Sequence, residues 1–225
     1  MPLFLLSVAP ALLIIIYIYY SDKYDKEPRH LLVICFLLGA IGSILISAVS
    51  HLVVSRYFPE LELKIWWIQF CKAFFVVALV EEFSKYIFVR YFAQRHKEFD
   101  EPYDGIMYAV MVSMGFAVTE NLAYAFEGGI ETAIYRAFTA VPAHATFGII
   151  MGYYMGKAKF SRKRIKYNLL GLVLATFFHG TYDFFLFIDY IPGFTIGAFM
   201  SLAVGILLSQ KAIRLHQENS HFKPK

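Results

Sequence analysis

The stretch Val80-Glu81-Glu82-Phe83-Ser84-Lys85-Tyr86 decides how this chain is read. Two carboxylates and an ammonium sit inside a run from Ile65 to Tyr91 that is otherwise largely apolar. At the centre of a bilayer each such group costs roughly 2.5–3.5 kcal/mol. A span that carries three of them needs partners, and those must come from elsewhere in the chain.

The composition says that the run does lie in lipid. The 225 residues are 59% hydrophobic and 17% charged, with a mean hydropathy of +0.56. A soluble domain carries about 25% charged residues. Seven apolar segments follow one another, from Leu3 to Tyr20, Leu31 to Ser55, Ile65 to Tyr91, Ile106 to Phe126, Ile134 to Met155, Tyr167 to Ile188 and Phe194 to Leu208. Most suffice to cross about 30 Å at 1.5 Å per residue. The expected fold is all-α, a polytopic transmembrane bundle of about seven spans forming a single domain over residues 1–225. The first segment lacks a basic leader and a small-residue cleavage site before Ser21-Asp22-Lys23, so it reads as a retained span.

Basic residues set the orientation. Of the 21 Lys and Arg, sixteen fall in the first, third and fifth connections and the tail, including Lys157 to Lys166. The alternate connections hold only Arg56, Lys64 and Arg136, and Lys72 and Lys85 lie within the third span. The positive-inside rule places the amino terminus outside and the carboxyl terminus in the cytoplasm. Basic residues in short loops between spans mark topology and do not suggest nucleic acid as a partner. The partner of such a surface is the lipid bilayer. Gly39, Gly42, Gly148, Gly152 and Gly156 have helix-contact spacing and should let neighbouring helices approach closely. Cys35 and Cys71 lie in apolar runs and read as buried free thiols.

Three other segments offer partners for the third span. Glu81 and Lys85 are four apart and share a helix face, so they are expected to pair, while Glu82 points about 100° away and needs another partner. The fourth span supplies Glu120 and Asn121, of which Glu120 reads equally as a link between helices or as support for a site. The fifth supplies His144, after a Pro142 expected to kink that helix. The sixth supplies His179 and Asp183, four apart, where the carboxylate can fix the imidazole tautomer and leave the other nitrogen free. Helical rise places Glu81, His144 and His179 within roughly 5 Å of the midplane. These groups are expected to converge on one polar cavity.

Two hydrolytic chemistries suit such a set. A glutamate can act as general base on water, with a histidine orienting the water or stabilising the oxyanion. Alternatively Glu81, Glu82, His144, His179 and Asp183 are ligand types for a divalent metal such as zinc, although no His-Glu-x-x-His run is present. Whether the cofactor is a metal or none stays open at this level. Ser43 and Ser47 lack an evident base, and no paired membrane aspartates occur. Proton or ion transport is the alternative function, opposed by the absence of an inverted repeat.

Glu81-Glu82-x-x-Lys85, Gly115-Phe116…Glu120-Asn121, His144-Ala145 and His179-Gly180-x-Tyr182-Asp183 together resemble the PrsW family of bacterial intramembrane proteases. Tyr24-Asp25-x-Glu27-Pro28-x-His30 and Phe99-Asp100-Glu101-x-Tyr103-Asp104-Gly105-Ile106 carry the same resemblance. It runs from about Tyr17 to Phe185, leaving residues 186–225 as a last span and cytoplasmic tail outside it. The resemblance implies a multi-pass protein of the bacterial cell membrane. It implies site-1 cleavage of a single-pass anti-sigma factor on its extracytoplasmic side, after which a second protease acts and a sigma factor is released. The family is distantly similar to CAAX prenyl endopeptidases and bacteriocin-processing enzymes. Carried over, Glu81, Glu82 and His179 are the essential groups. His144, Glu120, Asn121 and Asp183 support them, and Lys85 tunes the glutamates. Since Glu81 falls slightly on the cytoplasmic side of centre, an outer cut calls for a water-filled cavity open to the outside. The loop from Glu98 to Asp104, with four carboxylates, lacks EF-hand spacing and reads as solvated.

Overall fold

The computed structural model describes residues 2–224 and is all-helical. Helix α1 spans Pro2–Ser21; α2 (Arg29–Leu37) and α3 (Ile44–Tyr57) are joined end to end by a π-helical turn, Leu38–Ser43. Helices α4 (Trp66–Cys71) and α5 (Leu79–Tyr91) are joined in the same way through Lys72–Ala78. Then follow α6 (Asp104–Phe138), α7 (Ala140–Lys159), α8 (Arg164–Phe187) and α9 (Ile196–Glu218). In order, these rods follow the seven expected apolar segments, the first three closely, while α6 runs on to Phe138, α7 begins only at Ala140 and α9 runs on to Glu218.

Among the described residues five helical stretches are long and apolar enough to cross a membrane, and one of them, Asp104–Lys159, comprises both α6 and α7. The run 66–91 is outside that set and carries Lys72, Glu81, Glu82 and Lys85. Large apolar side chains such as Leu13, Leu52, Phe75 and Leu207 face outward, as lipid requires and water would penalise. Trp66 and Trp67, both exposed at the start of α4, are typical of a membrane interface.

Helix α6 is the axis of the bundle. Every residue from Glu101 to Val118 is buried, with α1, α2 and α7 packed around it. Close approach is built from glycine. A Cβ on Gly39 would fall on the Val112 carbonyl, and one on Gly115 on the Phe36 carbonyl, so the two helices cross backbone to backbone. Gly152 meets Gly105 in the same way. The expected small-residue contacts are therefore present. Cys35 and Cys71 are free.

Two expectations about helix shape are corrected. Pro142 does not kink a span. It sits in the first turn of α7 after Thr139, where proline's missing donor is tolerated. Helix α7 thus starts at Ala140, and His144 lies roughly 8 Å from its midpoint rather than near it. The second correction concerns α6, which continues past Phe126 to Phe138 but breaks at Gly129, where φ is 75° and ψ is −163°. In a straight helix residues 120 and 136 would be about 24 Å apart. Arg136 Nη2 is 2.5 Å from Glu120 Oε2, so the chain folds back on itself at Gly129. Only glycine takes that backbone without strain.

Alternate connections gather at opposite ends. At one end Gln217 donates to the Ser21 carbonyl, Ser220 to Glu101, and Lys159 to the Gln94 carbonyl at 2.8 Å. At the other, Lys64 is 3.5 Å from Asp189. The loop before α6 is not solvated as expected: Glu101 and Asp104 are buried, together with Asp22 and Glu27 from the α1–α2 connection. Burial, reinforced by the neighbouring Asp104, pushes the Glu27 carboxyl up to about 11. Burial raises Glu101 to about 7 and Asp22 to about 6.

Candidate active site

Four helices bring their charged groups to one place. Glu81, Glu82 and Lys85 come from α5, Glu120 and Asn121 from α6, His144 from α7, and His179 and Asp183 from α8. All of the candidate site residues are therefore brought together. Glu81, Glu82, Lys85, His144 and His179 are each at most 4% exposed. The helical spacing explains the clustering: α5 presents three ionisable groups over little more than one turn, and 179 and 183 share one face of α8.

Lys85 makes the expected pair with Glu81 and a tighter one with Glu82. Its Nζ donates to Glu82 Oε1 at 2.7 Å and is 3.7 Å from Glu81 Oε2. The tight pair is thus three residues apart, a spacing that meets on a helix as readily as four. The ammonium also lies 3.3 Å from His144 Nδ1 and 4.2 Å above the Phe116 ring centroid. Glu82 does have the further partner it needed: His179 Nδ1 is 2.9 Å from its Oε1. The other His179 nitrogen is 3.2 Å from Asp183 Oδ2 and 3.9 Å from Glu81 Oε2. His179 therefore bridges two carboxylates and has no nitrogen left without a partner. Phe147 stacks on its ring at 4.7 Å and fixes its plane.

Glu120 is more than a link between helices. Its Oε2 is 2.9 Å from His144 Nε2, which with Lys85 at Nδ1 defines both sides of that imidazole. Arg136 holds the carboxylate in turn and donates through Nε to Asn121 Oδ1 at 2.7 Å. From the sequence alone Arg136 reads as a loop residue that marks topology. The signal that could have singled it out is a lone guanidinium beside the Gly128-Gly129 pair, where the helix can turn back.

A cavity of about 470 Å³ reaches from this cluster to the short 3-10 turn Pro59–Glu62 between α3 and α4. Glu81, Glu120, Arg136, His144, His179 and Asp183 line it, and Glu82 does not. One oxygen of Glu81, Oε2, is buried and has no hydrogen-bond partner. The two adjacent glutamates thus face different surroundings. Glu81 meets the cavity, and Glu82 holds Lys85 and His179 behind it.

The residues present fit a metal. Glu81, His144 and His179 each offer a ligand atom, all within 4.8 Å of one another, and two imidazoles with one carboxylate make a zinc-type set. For His144 to ligate through Nδ1, Lys85 must release its 3.3 Å contact there and keep its bond to Glu82, and for His179 to ligate through Nε2 it must give up Asp183 at 3.2 Å.

Residues 27–209 match the family described as PrsW family intramembrane metalloprotease. The match extends into α9, beyond the motifs that end at Phe185. Among curated relatives, Protease PrsW of Geobacillus kaustophilus is 40% identical over 198 residues, covering 86% of this chain and 84% of that protein. Protease PrsW of Oceanobacillus iheyensis is 42% identical over 181 residues, covering 80% of each. Protease PrsW of Bacillus subtilis is 38% identical over 182 residues, again covering 80% of each. No solved structure matches the chain.

Proposed function

The chain belongs to the PrsW family of intramembrane proteases, and from that premise we propose that it performs site-1 cleavage of a membrane-anchored anti-sigma factor, with Glu81, Glu82, His144 and His179 activating water. It is a peptidase and a multi-pass protein of the bacterial membrane. The observation that carries the finer reading is the cavity. It joins the buried carboxylate–imidazole cluster to the end of the bundle away from the Lys- and Arg-rich connections. With the amino terminus outside, that end is extracytoplasmic, so water and an extracytoplasmic peptide reach Glu81 by the same route.

In this reading Glu81 takes a proton from water as the oxygen attacks the scissile carbonyl. The His179 Nε2–H, turning from its 3.2 Å contact with Asp183, donates to the tetrahedral oxyanion, and Glu81 returns the proton to the leaving amine as the C–N bond breaks. Glu82 and Asp183 hold His179 in place, while Glu120 does so for His144. Glu81, His144 and His179 would hold a divalent metal, which when bound supplies Lewis-acid polarisation of carbonyl and water. The transport alternative gains no support from the fold, in which α6 is buried from Asp104 to Val118.

The test is reconstitution of purified protein with a single-pass anti-sigma factor, followed by sequencing of the product's new amino terminus. A cut on the extracytoplasmic side of the substrate span is expected. An intact substrate, or a cut on the cytoplasmic side, would overturn the proposal. Chelation of active protein separates the two chemistries: lost activity restored by stoichiometric zinc selects the metal-dependent one.

Arg136 acts through Glu120 on His144 and is a positioning residue. Arg136→Lys keeps the charge but cannot bond Glu120 and Asn121 together. A fall in kcat of about 10–100-fold is expected, with little change in KM or in melting temperature. A variant with unchanged kcat would remove Arg136 from the site.

A further inference from the structure

We propose that Lys72 is a specificity-determining residue of the active-site cavity, receiving a substrate carboxylate, Asp or Glu, about four residues outward from the scissile bond. This assignment rests on the site-1 reading above and adds the kind of peptide that such a site accepts. Lys72 opens the π-helical turn Lys72–Ala78 and lines the same cavity as Glu81. It precedes Glu81 by nine residues, which places it roughly 13 Å toward the outer end at the helical rise. A peptide held extended covers that distance in about four residues.

A lysine at this depth needs a partner. It follows the exposed pair Trp66-Trp67 along the same run and lies roughly 8 Å further in. Ionisable groups within a span face a polar cavity and pair there. Lys72 does both. Its Nζ donates to both carboxylate oxygens of Glu62 at 2.7 Å and lies 5.6 Å from the Phe187 ring centroid. Glu62 and Phe187 line the cavity as well.

The two halves of this pair are unequal. The Lys72 side chain is 23% exposed, whereas that of Glu62 is 67% exposed, on the short turn Pro59–Glu62. A pair with so exposed a partner stabilises little, so Glu62 can leave for water at small cost. The turn does not depend on it. Gln69, itself buried, donates through Nε2 to the Leu63 carbonyl at 2.7 Å and the Leu61 carbonyl at 3.3 Å, which ties the turn to α4. The other carboxylates that line the cavity have basic partners of their own: Glu81 has Lys85, Glu120 has Arg136 and Asp183 has His179. Glu62 is therefore the exchangeable carboxylate, and it occupies the place that a substrate carboxylate would take.

The sign of the charge follows from the same asymmetry. A basic substrate side chain on Glu62 would strip the more buried Lys72 of its counter-ion, and an unpaired charge there is costly. An acidic one leaves only the exposed Glu62 without a protein partner. A neutral side chain displaces neither. Lys72 is also far from the reacting atoms, so its contact is made equally before and during bond breaking. Such a contact lowers KM and leaves kcat unchanged.

The test uses the full chain in liposomes with the single-pass substrate of the site-1 assay. Versions of that substrate carry Ala, Glu or Lys at each position about three to five residues outward from the mapped cut. At one of these positions wild type should show a KM about threefold to tenfold lower for Glu than for Ala, with Lys poorest and kcat similar throughout. Lys72→Glu should reverse the order and favour the Lys version, which a lysine of purely structural role cannot do. Glu62→Gln removes the internal competitor at an exposed position, so it should fold normally. It should lower KM for the Glu version by up to about fivefold and leave the Ala version unchanged. That variant decides the matter even if Lys72→Glu fails to fold. The proposal is overturned if wild type treats the three versions alike at every position, if a folded Lys72→Glu keeps the wild-type order, or if Glu62→Gln leaves KM for the Glu version unchanged. Cleavage without charge preference would leave the site-1 reading standing, whereas cleavage of no version at all would overturn both.

Discussion

Glu81→Gln is expected to reduce the cleavage rate by about 10²–10⁴-fold while leaving membrane insertion and melting temperature near those of wild type. The residue faces the cavity, and its Oε2 accepts no hydrogen bond. Its separation from Lys85 is 3.7 Å and from His179 Nε2 3.9 Å, so an amide of the same shape disrupts little that holds the fold. Glu82→Gln should also be inactive, but for a different reason and with a different companion effect. Glu82 Oε1 accepts from both Lys85 and His179, so its replacement weakens the scaffold and should lower the melting temperature as well. Initial rates on a reconstituted substrate, read beside melting curves, separate the two glutamates. A Glu81→Gln protein that cleaves within about threefold of wild type would remove the general-base role, given what such groups ordinarily contribute.

Lys85→Ala is expected to cost about 3–5 kcal/mol of stability, the amount typical of removing one partner from a buried ion pair. Lys85 is 1% exposed and serves Glu82 at 2.7 Å, Glu81 at 3.7 Å and His144 at 3.3 Å. Without it two buried carboxylates face each other with no lysine between them. Lys85→Met combined with Glu82→Gln removes charge in balance and should recover much of the loss. Unfolding in detergent by heat or denaturant measures both. A Lys85→Ala protein within about 1 kcal/mol of wild type would mean that the histidines alone neutralise the glutamates, against the usual cost of an unpaired buried charge.

Much of this was legible in the chain. Apolar length gave the rods, because a helix that crosses lipid must be long and apolar wherever no partner faces it. The charged residues gave the site, because lipid excludes them unless they converge. What escaped the sequence were the consequences of tertiary contact. The choice of Lys85 between Glu81 and Glu82 depends on His144 and Phe116, which sit on other helices. Pro142 gives the same local signal whether it opens a helix or bends one, and Thr139 decides the matter. The carboxylates before α6 look solvated from their spacing alone. Their burial depends on α9 and the α1–α2 connection closing over them. Arg136 could be linked to Glu120 only once the turn at Gly129 was known.

That turn makes the stretch between Asn121 and Gly128 a ruler. Gly129 has nothing within 4 Å of where a Cβ would stand, so its role is backbone direction rather than packing. One residue inserted between 121 and 128 would swing the returning segment by about 100° and carry it about 1.5 Å further. Arg136 would then miss the Glu120 carboxylate that holds His144. The connection around Gly193, also at positive φ but outside the cavity lining, sets no such register and should accept added length. Homologous chains should therefore vary in length near residue 193 and stay fixed between 121 and 136.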